Sequence, residues 1–222
     1  LYIVLCVVVI FKNYNLIGNA FLSIFKGAFS PESVTGGAVG TVYSTVIAGA
    51  QKGIFSNEAG LGTAAMAHST ADNANIKTQG LFGVFEVFAD TLLICTLTAL
   101  TILCSGVIIN YNQTASSDLV SQALATLYGG FAKPALAIML LLFGVSSVIG
   151  WAAYGISCSD YIGGKFGKKI FVFLYPVFCI LGAVLNTQTA WRLAEFFNGI
   201  MLIINLFAVF MLSHKATKVL GE

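Results

Sequence analysis

Long apolar stretches alternate with shorter polar stretches along the chain. The apolar stretches cover about 36–68, 79–107, 129–159, 170–185 and 193–212. A helix needs about 20 mainly apolar residues to cross the hydrocarbon core of a bilayer. The pattern therefore predicts an all-α protein with five membrane-spanning helices.

The N-terminal region does not follow this pattern. Residues 1–11 are apolar but too few to cross a bilayer, and we predict that they are the end of a truncated membrane helix. Residues 12–35 mix Asn, Lys and aromatic side chains, which predicts an external connection with an interfacial helix around 20–29. Residues 36–222 are predicted to form the five-span membrane domain with a basic tail.

The composition excludes a soluble protein. Hydrophobic residues make up 58% of the chain and charged residues only 9%, whereas a soluble domain carries about 25% charged residues. The net charge of +2 is spread in short clusters, so we expect no nucleic-acid partner. The five cysteines lie in apolar runs and are interpreted as small buried hydrophobic residues. With only two histidines we expect no histidine-based metal centre, and we predict no organic cofactor.

Basic residues are distributed unequally between the two sets of helix ends. One set carries His68, Lys77, Lys165, Lys168, Lys169, His214, Lys215 and Lys218, and the other carries only Lys12, Lys26, Glu32, Asp118, Lys133 and Arg192. Because Lys and Arg are enriched in cytoplasmic loops, we expect the first set to be cytoplasmic. The predicted location is the cell membrane, with the basic loops and the C-terminal tail facing the cytoplasm.

Polar and glycine residues interrupt the first predicted span. Gly53–Gly62 reads Gly-Ile-Phe-Ser-Asn-Glu-Ala-Gly-Leu-Gly. Glycine weakens a helix, and an ionisable group at bilayer depth marks a functional site by default. We therefore predict a broken helix of the kind that binds substrate and ions in secondary transporters. Lys52 and Glu58 bracket the break, and they either form or gate the site or are bonded to stray backbone groups.

Polar groups also share faces of the second and fifth spans. Glu86 and Asp90 are four residues apart, on one face with several threonines. This face is either a structural hydrogen-bond network or a proton or ion relay. Glu195, Asn198 and Asn205 share a face of the fifth span, where Glu195 is either an external gate or an interfacial charge.

The third span carries two adjacent hydroxyl groups followed by an aromatic residue. The oxygen atoms of Ser146 and Ser147 suit a hard cation such as Na⁺, although serines in membrane helices commonly bond to their own backbone. Trp151 lies one turn beyond Ser147, where it is either the wall of a cavity or a packing residue.

The segment Gly53–Ala64 consists of the interruption Gly53–Gly62 followed by Thr-Ala. It closely resembles the signature of the alanine/glycine:cation symporter family. Gly150–Gly155 resembles a second motif, Gly-Trp-x-Tyr-Tyr-Gly-Glu, with Ala153 in place of the first Tyr and Ile156 in place of the Glu. Shorter matches lie at Ala67-His68, Asp90-Thr91 and Ile94-Cys95-Thr96. The resemblance covers nearly the whole chain.

This resemblance implies a LeuT-type fold of two inverted five-helix repeats. The chain would be the second repeat, and its partner would be a missing N-terminal repeat of the same protein. The implied substrate-binding residues are Gly53, Phe55, Ser56, Asn57, Glu58, Gly60 and Trp151. The implied sodium ligands are Ser146 and Ser147, and candidate gating or relay residues are Lys52, Glu86, Asp90 and Glu195.

The implied function is sodium-coupled symport of small neutral amino acids, chiefly alanine and glycine. Its partners would be the amino acid, Na⁺ (or H⁺) as the coupling ion, and the lipid bilayer. An intramembrane enzyme is not expected, because the sequence contains no metal motif, nucleophile elbow or cofactor fingerprint. The alternative is a non-transporting structural or channel-like membrane subunit.

Overall fold

The computed structural model describes residues 1–29, 42–72, 75–109 and 117–221. The predicted start of the first span and the end of the preceding connection fall in 30–41, outside the described residues. The described part of the chain is almost entirely helical and contains no β-strand.

Nine α-helices cover most of the described residues. They are α1 (Tyr2–Lys12), α2 (Ile17–Phe29), α3 (Val42–Asn57), α4 (Thr63–His68), α5 (Ile76–Val87), α6 (Thr96–Cys104), α7 (Ser117–Tyr128), α8 (Ala132–Val184) and α9 (Thr187–Gly221). A π-helical segment, Phe88–Cys95, joins α5 to α6 without a break. Short 3₁₀ turns precede α2 and α8.

Three helical stretches in the described ranges are long and apolar enough to cross a membrane. They are Ile76–Cys104, Ser117–Val184 and Thr187–Ala216. The helices Tyr2–Lys12 and Tyr14–Gly27 form a bent pair with an angle of 79°, which would count as a fourth span if it crossed as one. These stretches and the helical content confirm the predicted class, an all-α multi-spanning membrane protein.

The chain divides into two compact units. The first unit contains Leu1–Gly53 and Val87–Phe143, and the second contains Ile54–Glu86 and Gly144–Glu222. Helix α6 lies at the centre of the first unit, where it packs against α1, α2 and α7. The Tyr2 hydroxyl lies 2.6 Å from Thr98 Oγ1, and the Tyr128 hydroxyl donates to the carbonyl of Leu5 at 3.0 Å.

The burial predicted for the cysteines is correct for only part of the set. Cys6 and Cys104 are buried in the first unit, whereas Cys95 and Cys158 are exposed. The apolar sequence context of a membrane helix does not distinguish a residue that faces protein from one that faces lipid. The difference therefore arises from packing that the pattern does not encode.

Helix α8 is a hairpin of two antiparallel arms. Its backbone departs from helical angles at Gly164, where φ is 56° and ψ is −152°, a conformation that glycine adopts at low cost. The hydroxyl of Tyr175 donates to the carbonyl of Val148 at 2.8 Å, although 27 residues separate them. The chain therefore reverses at Gly164, and the two arms cover most of the predicted spans 129–159 and 170–185.

The helices are longer than the apolar stretches that predicted them. Residues 160–169, which separate two of the apolar stretches, are helical on both sides of the reversal at Gly164. Residues 186–192, between the last two apolar stretches, are likewise mostly helical, because α9 begins at Thr187 and continues to Gly221. Hydropathy marks the part of a helix that lies in lipid, whereas Lys, Gln and Arg continue a helix well into water.

The predicted interruption of the first span is confirmed. Helix α3 ends at Asn57, and α4 begins at Thr63. Between them, Glu58, Gly60 and Gly62 all have positive φ angles, of 53°, 86° and 89°. Left-handed residues cannot continue a right-handed helix, so this run of backbone angles causes the break.

Candidate functional site

The carboxylate of Glu58 is the centre of the polar contacts at the break, within the second unit. Its Oε1 accepts a hydrogen bond from Nε1 of Trp151 at 3.1 Å. Its Oε2 accepts one from the hydroxyl of Thr63 at 2.7 Å. An ionised carboxylate can accept about four hydrogen bonds, so each oxygen retains capacity for a ligand.

Two asparagines fix the backbone of the break. The Asn57 side chain accepts a hydrogen bond from the amide of Ala59 at 2.8 Å, which closes a local turn. The Asn205 side chain, on α9, donates to the carbonyl of Gly60 at 2.9 Å. A Cβ atom at Gly62 would lie only 2.9 Å from Asn205 Oδ1, so α9 approaches the break at a position that requires glycine.

A cavity of about 350 Å³ opens beside this carboxylate. It is lined by Phe55, Glu58, Trp151, Ala194, Phe197, Asn198 and Met201. The ring of Phe55 also packs against Trp191, with ring centroids 4.7 Å apart. The lining combines one carboxylate and one amide with aromatic and aliphatic walls, which is the usual composition of a small-ligand site.

The charges at the cavity favour a cation. Glu58 contributes a carboxylate, and the C-terminus of α3 contributes the partial negative charge of a helix dipole. The aromatic and aliphatic walls place low-dielectric surface beside the carboxylate, which strengthens electrostatic attraction there relative to bulk water. The site can therefore bind an ammonium group or a metal cation, while Asn198 offers a neutral polar contact.

Only some of the predicted substrate residues meet at this cavity. Phe55, Glu58 and Trp151 line it. Asn57 and Gly60 shape the backbone of the break instead. Ser56 is exposed and does not line the cavity, and Gly53 belongs to the first unit.

Ser146 and Ser147, the predicted sodium ligands, lie in the first arm of α8. Both residues are exposed on the second unit, and Ser147 precedes Trp151 by one helical turn. Among the residues that the structure describes, no group of three or more His, Cys, Asp or Glu side chains is arranged to hold a metal ion. A cation site here would depend on hydroxyl and carbonyl oxygens.

The predicted gating and relay residues are divided between the two units. Lys52 and Asp90 belong to the first unit, and Glu86 and Glu195 to the second. The expected face of Glu86 and Asp90 assumed regular α-helical spacing, but Asp90 lies in the π-helical segment, where hydrogen bonds link residues five apart.

Glu86 has a specific partner that the sequence did not reveal. His68 Nε2 lies 3.3 Å from Glu86 Oε2, and His68 Nδ1 lies 2.8 Å from Gln79 Oε1. These contacts connect the end of α4 to α5. Glu195 is half-buried on α9 and is not a cavity-lining residue.

Sequence reasoning missed several residues of the site. Thr63 lay in the signature segment Gly53–Ala64 but was assigned no role, because its bond to Glu58 depends on the turn after that residue. Trp191 carried no recognisable signal, because its contact with Phe55 depends on how α9 packs. Asn198 and Asn205 did share a predicted polar face, and the structure places one at the cavity and the other on the broken backbone.

Several apolar helices, one of them interrupted around a carboxylate beside a small cavity, define a membrane protein of the secondary-transporter class. Comparison with known proteins is more specific. The sequence profile of the sodium:alanine symporter family matches residues 1–222, and the chain belongs to that family. This is a family of transporters, not of enzymes.

Three relatives illustrate the similarity. The probable sodium/glutamine symporter GlnT of Bacillus subtilis is 39% identical, over 96% of this chain and 44% of its own length. The sodium/alanine symporter AgcS of Methanococcus maripaludis is 31% identical, over 96% of this chain and 46% of its own. The sodium/proton-dependent alanine carrier protein of Bacillus sp. PS3 is 30% identical, over 100% of this chain and 53% of its own length. The chain thus spans about half the length of these relatives.

Proposed function

We propose that the chain is half of a longer transporter that carries small neutral amino acids, alanine and glycine above all, across the cell membrane together with Na⁺. The observation that carries this proposal is the cavity at the broken helix. There, Glu58 receives a hydrogen bond from Trp151 and faces aromatic walls. Family membership supports the coupling to sodium.

The substrate ammonium group would bind at the negative end of this cavity. The carbonyl groups at the C-terminus of α3 point beyond the helix, as the last carbonyls of any helix do. Together with Glu58 they form a cation-attracting surface. Broken helices of secondary transporters bind ligands through such helix ends.

The walls of the cavity support a small apolar side chain. Phe55, Trp151 and Phe197 form these walls, and they offer little for a polar side-chain end to bind. The relatives are named for different substrates, alanine in two cases and glutamine in one. We propose the smaller substrate for this chain because of these three aromatic walls.

Sodium would bind at Ser146 and Ser147. Their exposure on the second unit suits a site that is completed by a missing repeat of the same protein. Hydroxyl oxygens suit hard cations, and Trp151 one turn away would connect the ion site to the substrate cavity. A Na⁺ ion bound there would raise the affinity for substrate, and bound substrate would raise the affinity for Na⁺ by the same factor.

The wider architecture is also part of the proposal. A broken first span, an α8 hairpin and a long α9 support the second repeat of a LeuT-type transporter with five spans. The unequal distribution of basic residues supports cytoplasmic basic loops and a cytoplasmic tail.

The test is uptake by the full-length protein that contains this chain, reconstituted in proteoliposomes. Labelled alanine should accumulate with an inward Na⁺ gradient and not without it, and a H⁺ gradient is the comparison. Unlabelled glycine and serine should compete, and glutamine should compete at least tenfold less well. Equal competition by glutamine would reject the small-substrate assignment but not the transporter.

The alternative, a structural or channel-like subunit, differs in one measurable respect. A passive protein equilibrates its substrate but does not concentrate it. Accumulation of alanine above the external concentration would therefore exclude the alternative. Equilibration alone, under both Na⁺ and H⁺ gradients, would exclude the symporter.

A further inference from the structure

A second and larger cavity lies between α5 and the C-terminal part of α9. It is a groove of about 590 Å³ within the second unit. It shares no lining residue with the cavity at Glu58. Its apolar surface comes mainly from Ile76, Leu81, Val84 and Leu212.

The rest of the second unit does not cover these aliphatic side chains. Ile76, Leu81 and Val84 are 72%, 70% and 68% exposed. The groove is as large as the sites that hold drug-sized ligands, which occupy about 300–1,000 Å³. Its occupant must therefore have a substantial apolar portion.

Two lysines give the groove a positive end. Lys77 lies in the first turn of α5, and Lys215 lies on α9 beyond Leu212. Among the described residues that line the groove, none carries a carboxylate. Lysine stems pack along apolar surface while their ammonium groups reach the membrane interface, so the positive charge belongs at headgroup depth. The groove is apolar along its length and cationic at one end.

We propose that this groove binds an anionic phospholipid. One acyl chain lies along Leu81, Val84 and Leu212, and the headgroup phosphate is held by Lys77 and Lys215. Basic pockets between membrane helices bind lipid headgroups in this way. A soluble anion would leave the apolar surface uncovered, and a zwitterionic lipid would gain less from the two lysines. The inference does not depend on the transported substrate.

The first experiment measures lipid binding to the full-length protein by native mass spectrometry in detergent. Phosphatidylglycerol should bind more tightly than phosphatidylcholine with the same acyl chains. Lys77→Gln or Lys215→Gln should each weaken phosphatidylglycerol binding about fivefold, and the double variant about 25-fold. The double variant Lys165→Gln/Lys168→Gln, with the same charge loss outside the groove, should bind like the wild type. Millimolar inorganic phosphate should not displace the lipid.

A second variant tests the apolar part of the groove. A Cβ atom at Gly80, which belongs to the lining, would meet nothing within 4 Å, so Gly80→Phe is chosen to direct a ring into the groove. It should abolish the tight phosphatidylglycerol site. Gly182→Phe is the matched control, because its Cβ also meets nothing within 4 Å and lies outside the groove.

Three results would overturn the proposal. They are equal binding of the two lipids, full phosphatidylglycerol binding by the double lysine variant, and tight binding by Gly80→Phe. Each would mean that this groove is not a selective site for an anionic phospholipid. Displacement by inorganic phosphate would instead identify a simple anion site. The thermal melting temperature of each variant verifies that the comparison is made between folded proteins.

Discussion

Glu58 has a backbone conformation that glycine would adopt at a lower cost. A non-glycine residue at φ 53° costs about 1–3 kcal/mol, and glycines fill the other left-handed positions of the break, Gly60 and Gly62. The carboxylate must therefore be needed for its contacts with Trp151 and Thr63 or for a ligand. Backbone strain and side-chain chemistry thus indicate the same residue.

Glu58→Gln should weaken substrate binding while preserving the fold. The amide keeps one acceptor oxygen for Trp151 or Thr63 but loses the negative charge that attracts the substrate ammonium group. Losing one charge-assisted contact costs about 1.5 kcal/mol, so we expect KM for alanine to rise about tenfold. Initial uptake rates in proteoliposomes measure it. Asp160→Asn, an exposed carboxylate at the hairpin reversal, is the control, and equal KM values for the two variants would remove Glu58 from the site.

Trp151→Phe tests whether the indole acts through its hydrogen bond. Phenylalanine keeps an aromatic wall but cannot donate to Glu58. We expect a rise of about fivefold to tenfold in KM. Adding Glu58→Gln should give less than the sum of the two effects, because the indole acts on the substrate by holding this carboxylate in place. Fully additive effects in this double-mutant cycle would show that the two side chains act independently.

Ser147→Ala should change the response to sodium rather than to substrate. If Ser147 Oγ is a ligand, the Na⁺ concentration for half-maximal uptake should rise at least fivefold. Ser157→Ala is a matched control on the same arm of α8, because that hydroxyl is bonded to the carbonyl of Ala153. Unchanged Na⁺ dependence in Ser147→Ala would assign the hydroxyl to structure instead.

The break between α3 and α4 is a defined element rather than a loose segment. Asn57 bonds to the turn from within, and Asn205 bonds to it from α9. Gly62→Ala should disturb both its conformation and its packing, because φ is 89° and a Cβ would lie 2.9 Å from Asn205 Oδ1. A left-handed alanine alone costs about 1–2 kcal/mol.

We therefore expect Gly62→Ala to lower the melting temperature by several degrees and to reduce alanine uptake strongly. Gly182→Ala is the control, since its Cβ meets nothing within 4 Å and alanine favours a helix. That variant should be as stable as the wild type or more stable. A melting temperature of Gly62→Ala equal to that of Gly182→Ala would mean that the break tolerates a side chain.

The sequence predicted the elements better than it predicted their ends. Glycine and polar residues between Gly53 and Gly62 marked the break, because such residues are costly inside a membrane helix. The reversal at Gly164 was less visible, since a single left-handed glycine replaces a whole loop. The π-helical segment Phe88–Cys95 carried no signal, because hydrophobic spacing does not reveal which carbonyl each amide bonds to.

The partners of each site residue depend on contacts that are distant in sequence. Trp151 is 93 residues from Glu58, and Asn205 is 145 residues from Gly60. Periodicity along one helix places residues on a face but does not say which other helix that face meets. Membrane class followed from composition alone, whereas the cavity required the assembled second unit.

The whole transport path should require more than this chain. The chain spans about half the length of the relatives it matches, and Ser146 and Ser147 are exposed on the second unit. In a LeuT-type arrangement the substrate and ion sites lie between two repeats, so one repeat offers half of each site. Residues 1–222 alone, reconstituted in proteoliposomes, should therefore show no Na⁺-driven alanine uptake.

Far-ultraviolet circular dichroism on the same vesicles verifies that this half is helical, and the full-length protein in parallel vesicles is the positive control. Adding the missing half as a separate chain should restore uptake if the two halves associate, because the sites need no covalent link between them. Uptake by residues 1–222 alone would mean that the ion and substrate sites are complete within this chain. The exposed serines would then face water or lipid in the working protein rather than a second repeat.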